Sequence, residues 1–147
     1  MINNRLVQGK RARLEIFERG NGPQTIVMVH GYNSSARGWS LIQEALDPDK
    51  YRTLAINNRG AGESDRPPDE VFYTVESFAK DLLDIVTTIG IVDFTMIGHS
   101  MGAATITRFA LDNPGLAQGL ILLNSTPLAG RESPVGWELD IENKFHM

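Results

Sequence analysis

The chain of 147 residues contains no cysteine. Disulfides, thiolate nucleophiles and thiolate metal sites are therefore excluded. An excess of positive charge is also missing: 14 Lys and Arg stand against 18 Asp and Glu, a net charge of −4. Without a basic footprint, no nucleic-acid partner is expected. The tightest basic group, Lys10-Arg11-Arg13, reads as a solvated strand face. No apolar run approaches the ~18 residues of a membrane span. Met1-Ile2-Asn3-Asn4-Arg5 lacks the apolar core of a secretory signal. No membrane partner and a cytoplasmic location are the expectation. The three histidines show no ligand spacing, so neither a metal nor a cofactor is expected. What is present, 41% hydrophobic and 22% charged residues, fits a globular chain with a real core.

Strand-like and helix-like segments alternate. Residues 11–17 alternate polar and apolar, as a half-buried strand does. Residues 25–29 and 120–123 are continuous apolar runs, as in strands covered on both faces. Residues 51–56 and 94–98 read as further strands. Residues 39–46 and 102–112 read as helices, each stopped by a proline just beyond. The strongest helix spans 74–89. Its apolar face is Phe78, Leu82, Ile85, Val86 and Ile89, with Thr74 as N-cap and Gly90 as C-terminal stop. Such alternation predicts an α/β fold: a mostly parallel twisted sheet with helices on both faces. In residues 131–147, Trp137, Ile141 and Phe145 follow i, i+4, i+8, as in one amphipathic helix.

The chemistry centres on Gly98-His99-Ser100-Met101-Gly102. This G-x-S-x-G run lies between a predicted strand and a predicted helix, the context of a nucleophilic serine on a strained turn. Crowding at such a turn requires glycine two residues before and after the serine. Gly98 and Gly102 meet that requirement. A serine that merely capped the next helix would leave both glycines unexplained.

Four segments together resemble the N-terminal part of an α/β-hydrolase of the esterase, lactonase and epoxide-hydrolase type. They are His30-Gly31 after an apolar strand; Asn57-Asn58-Arg59-Gly60-Ala61-Gly62-Glu63-Ser64, similar to a D-x-R-G-x-G-x-S loop; the 98–102 elbow; and Asn124-Ser125-Thr126-Pro127 after the last strand. The resemblance covers about residues 11–130. It implies an α/β-hydrolase sheet truncated after the sixth strand. It further implies a core over residues 1–130 and the start of a helical cap over 131–147.

The resemblance assigns roles. Ser100 is the catalytic nucleophile. Members with Asp at the elbow are dehalogenases or epoxide hydrolases; Ser instead implies acyl transfer to water through an acyl-enzyme. The backbone N–H groups of Tyr32 and Met101 form the oxyanion hole, and Gly31 lets the loop approach closely. His30 braces its loop. His99 diverges from Ser100 as a packing or supporting group. His146 lies in the tail. None of the three histidines fits the family order of Ser, acid, then His, and Asn124 carries no charge, so the acid and the base are missing. Asp140 and Glu142 read as solvated tail residues. Asn57 stands where the family carries Asp, and an amide can still hold a loop.

The expected function is a serine hydrolase of small carboxylic esters or lactones, with this chain alone weakly active or inactive. A perhydrolase, a C–C hydrolase or an acyltransferase would share the same motifs. The alternative is a non-catalytic or partner-dependent binding module. The chain also falls short of the ~200–250 residues common for such folds. Residues 120–123 would then be an unpaired apolar edge, open to self-association or to a complementing chain.

Overall fold

The 94–98 run forms a strand because its alternate residues face two different apolar layers. Phe94 and Met96 are fully buried against one set of helices, while Ile97 packs against the opposite cluster. Residues 1–69 and 72–126 are described by a computed structural model. They contain strands β1 (Asn3–Gln8), β2 (Arg13–Arg19), β3 (Gln24–Val29), β4 (Tyr51–Ile56), β5 (Phe94–His99) and β6 (Ala117–Leu123). Helices α1 (Ser40–Ala45), α2 (Val75–Ile89) and α3 (Met101–Asp112) connect them, with a 3-10 turn at Ala36–Trp39 leading into α1. The predicted tail, with Trp137, Ile141, Phe145 and His146, lies outside the described residues, as does the predicted boundary at 130.

The six-stranded sheet has the order β1-β2-β4-β3-β5-β6. β1 pairs antiparallel with β2, and β2 antiparallel with β4. The pairings of β3 with β4, β3 with β5, and β5 with β6 are parallel. After β3 the chain steps one way to β4, then crosses back to β5 on the other side of β3. Right-handed crossovers put α1 on one face and α2 and α3 on the other. Val27, Val29, Leu54, Ile56, Phe94 and Met96 pack with Leu82, Ile85, Ile106 and Phe109. Phe17, Met28 and Ala55 pack with Ala36 and Trp39 on the α1 side. The rings of Phe94 and Phe109 meet edge to face at 6.1 Å, a contact that contributes about 0.5–1.5 kcal/mol beyond burial.

α2 ends where its sequence predicts. The Thr74 hydroxyl accepts the Ser77 N–H, and Gly90 sits left-handed at φ 73°. The largest departures from the expected boundaries are in β2 and β6. β2 starts at Arg13, not residue 11, because Gly9 to Ala12 closes a turn through the Gly9 N–H and Ala12 carbonyl. β6 starts at Ala117, ahead of the apolar run. β1 is absent from the sequence reading: five of its six residues are exposed. Arg11 is not simply solvated, since its guanidinium lies 2.9 Å from the buried carboxylate of Asp84 on α2.

Candidate active site

The carboxyl ends of β3 and β5 point to the place where the strand order reverses. In open α/β sheets that crevice is where ligands bind. His30 and Gly31 leave β3 there, His99 ends β5, and Ser100 follows it.

Ser100 joins β5 to α3 with φ 53° and ψ −117°. A serine in this region carries strain of order 1–3 kcal/mol. Its side chain makes no capping bond to α3, so the strained turn is not explained as a helix cap. Instead the turn is held by its backbone. The Ser100 N–H donates to the Leu123 carbonyl of β6 at 3.0 Å, and the Ser100 carbonyl accepts from Ala103 at 3.0 Å. Sterics then fix the neighbours. A Cβ at position 98 would overlap the Gly102 carbonyl and lie 2.7 Å from the Ala103 nitrogen. One at position 102 would overlap the Val29 carbonyl and lie 2.6 Å from that of His30. The elbow is thus wedged against the end of β3.

The loop after β3 touches the elbow directly. A Cβ on Gly31 would stand 3.2 Å from Ser100 Cβ and 3.0 Å from His99 Nδ1. Tyr32 and Met101, whose N–H groups the sequence nominates, both line one cleft of about 730 Å³. Met101 is the first residue of α3, where a helix N–H has no intrahelical partner. The Tyr32 ring is largely exposed at the cleft mouth.

Hydrogen bonds pin that loop at both ends. His30 is buried, with Nδ1 2.7 Å from the Gly31 carbonyl and Nε2 accepting the Asn58 N–H at 3.1 Å. Because Nε2 accepts, the proton sits on Nδ1 and is donated to Gly31. Burial holds His30 below the ordinary histidine range, against the opposing pull of the Gly31 carbonyl. Both ring nitrogens are occupied, as a bracing group requires. At the other end of the loop, Asn57 Oδ1 accepts the Ala36 N–H at 2.7 Å, and its amide donates to Glu15 Oε2 at 2.8 Å. Glu15, the partner of Asn57, is the residue of this network that a reading of motifs alone leaves out.

Arg59 fixes this loop to α2. Its Nε lies 2.6 Å from Asp81, with a second bond from Nη2, and both side chains are buried. Burial raises the Asp81 carboxyl above its ordinary value, although Arg59 draws it down. His99 is exposed, and it lines a smaller pocket of about 160 Å³ with Trp39, Ile42 and Leu123. Among the described residues, no acid or histidine is hydrogen-bonded to the Ser100 hydroxyl.

The chain that builds this turn matches a known family. The profile of the alpha/beta hydrolase fold matches residues 24–143. The chain belongs to the alpha/beta hydrolase family. It is 31% identical over 113 residues to bifunctional epoxide hydrolase 2 of Sus scrofa, covering 77% of this chain and 20% of that protein. It is 28% identical to the 2-(acetamidomethylene)succinate hydrolase of Mesorhizobium japonicum, covering 88% of this chain and 45% of the relative. A fluoroacetate dehalogenase of a Burkholderia species is 29% identical, at 86% and 42%. Among solved structures, the epoxide hydrolase CorEH superposes with a TM-score of 0.81 at 26% identity, covering 99% of this chain and 51% of that one. The chain spans less than half the length of these three curated relatives. No helix among the described residues is long and apolar enough to cross a membrane.

Proposed function

We propose that this α/β-hydrolase carries the nucleophile half of a serine hydrolase acting on small carboxylic esters or lactones. The strained Ser100 supports the reading: its hydroxyl is not spent on the helix, and the Gly31 loop lies against it. Ser100 Oγ attacks the acyl carbon. The oxyanion takes the N–H groups of Tyr32 and Met101, each such donor being worth about 3 kcal/mol in the transition state. The alcohol leaves, and water cleaves the acyl-enzyme. Relatives whose names give epoxide and fluoroacetate chemistry share the fold, and one fold hosts many reactions. The residue at the elbow selects between them, and here it is serine.

The base and acid of this reading come from outside the described residues. β6 is the edge of the described sheet, with Ile121, Leu122 and Leu123 exposed. A further strand there, from the same protein or from a complementing chain, supports both the sheet and the reaction. Gel filtration tests pairing between copies: a clean monomer counts against it. A cytoplasmic location belongs to the same reading. A second reading is a binding module that reuses the elbow pocket; among the described residues no base is hydrogen-bonded to Ser100. Labelling with a fluorophosphonate separates them. Ser100 becomes covalently labelled in the complemented protein, and Ser100→Ala abolishes the label. A well-folded, complemented protein that fails to label is a binding module.

A further inference from the structure

The Gly31 carbonyl and the Tyr32 N–H belong to one peptide unit. No peptide bond among the described residues is cis. In a trans unit the carbonyl and the N–H point in opposite directions across the peptide plane. His30 Nδ1 lies 2.7 Å from the Gly31 carbonyl, and its ring is buried. The Tyr32 N–H is therefore turned away from that ring. It has no acceptor among the described residues. A backbone N–H without a protein acceptor is open to water or to a ligand oxygen. Tyr32 and Met101 line the same cleft, and a Cβ on Gly31 would stand 3.2 Å from that of Ser100.

The ring is itself held. Its Nε2 accepts the Asn58 N–H at 3.1 Å, from the loop after β4, so the one ring proton sits on Nδ1. The other tautomer would set two donors face to face at Nε2 and two acceptors face to face at Nδ1, both unfavourable in a buried site. Asn58 thus fixes the tautomer, the tautomer fixes the Gly31 carbonyl, and that carbonyl fixes the Tyr32 N–H. We propose that His30 is a positioning residue whose Nδ1–H aims the Tyr32 N–H at the acyl oxygen of a substrate bound at Ser100. This asks more of His30 than bracing its loop, because the donor at Nδ1 is required and not only the bulk of the ring. The acyl oxygen as target rests on the serine-hydrolase reading, while the orientation of the peptide does not.

The test follows the rate of fluorophosphonate labelling at Ser100 in the complemented protein. His30→Asn keeps an N–H near the Nδ1 position and loses the acceptor at Nε2. His30→Gln keeps an acceptor near Nε2 and has no donor at Nδ1. Labelling is expected to slow at least about tenfold in His30→Gln, the scale of a misplaced oxyanion donor, and to stay within about threefold of wild type in His30→Asn. The Tyr32 amide resonance should move in His30→Gln and hold in His30→Asn, a split that packing alone does not produce. Equal labelling rates in the two variants, or a Tyr32 resonance that neither variant moves, overturns the proposal. If either variant does not fold, the wild-type ring nitrogens decide by NMR: a proton on Nδ1 supports the proposal, and one on Nε2 overturns it. A wild type that fails to label, with the Tyr32 resonance still moved by His30→Gln alone, would overturn the serine-hydrolase reading and leave the orienting role of His30 standing.

Discussion

Glu15 on β2 and Asn57 after β4 are joined by a 2.8 Å hydrogen bond from the Asn57 amide to Glu15 Oε2. The same carboxylate accepts from the Glu63 N–H at 3.0 Å and from the Asn4 amide at 3.0 Å. Burial alone would raise the Glu15 carboxyl. The bonds from Glu63, Asn4 and Asn57, with Arg37 nearby, outweigh it and hold Glu15 below the ordinary value. An amide at position 57 suits this pair, because its NH2 group donates to the carboxylate. Asn57→Asp would set two carboxylates face to face, and only one could ionise. We expect it to cost about 2 kcal/mol at neutral pH, the scale of a buried unsatisfied group. Glu15→Gln added to Asn57→Asp should recover at least half, because the new side-chain amide on β2 would donate back across the pair. Urea melts of both single variants and the double variant read the coupling. Additive losses would contradict it.

Ser100 holds φ 53° where glycine is at ease. Ser100→Gly should therefore raise stability by about 1 kcal/mol while removing the proposed nucleophile. Ser100→Ala keeps the strain and should change stability much less. Thermal unfolding of both variants checks this. A Ser100→Gly protein no more stable than Ser100→Ala would mean that the turn stores no strain.

The glycines of the site should differ in kind. A methyl at position 102 meets the backbone carbonyls of Val29 and His30, which cannot move without unpairing β3. Gly102→Ala is expected to lose several kcal/mol, the upper range for overpacking, or to fail to fold. At Gly31 the contacts are 3.0–3.2 Å, with the His99 side chain and Ser100 Cβ among them. Gly31→Ala should fold, at a cost of about 1 kcal/mol, yet label at Ser100 at least tenfold more slowly because the loop is pushed off the elbow. Circular dichroism and labelling rates separate the two outcomes. Normal labelling in Gly31→Ala would detach the loop from the chemistry.

How much of this was legible depended on the range of each constraint. The elbow demands glycine two positions either side of Ser100, so five consecutive residues report it. α2 announces itself through Phe78, Leu82 and Ile85 and through its caps. β1 gives no such signal, because only Val7 is buried and pairing with β2 holds the rest. Asp81 and Asp84 stand next to the apolar positions Leu82 and Ile85 of α2, and both are buried. Their partners, Arg59 and Arg11, lie 22 and 73 residues away, beyond any periodicity. The place of His30 after β3 nominates it as a brace for its loop. Its partner, the Asn58 N–H, became visible only once β4 lay beside β3.

That partner gives the fold a pH dependence with a definite sign. His30 accepts the Asn58 N–H through an unprotonated Nε2, and its folded pKa lies below the reference value of 6.5. The folded state therefore binds this proton less readily than the unfolded chain. Its contribution to stability is complete above pH 6.5 and is lost as pH falls from 6.5 toward the lower folded value. The slope from this one group is at most about 1.4 kcal/mol per pH unit. Imidazole resonances followed by NMR should show His30 titrating below 6.5. Urea melts between about pH 7.5 and about pH 5.5, a range that brackets the histidine reference value, should show a slope that shrinks in His30→Gln, where nothing titrates. A His30 inflection at or above 6.5, or a slope unchanged by His30→Gln, would mean that the Asn58 N–H does not depend on a neutral ring.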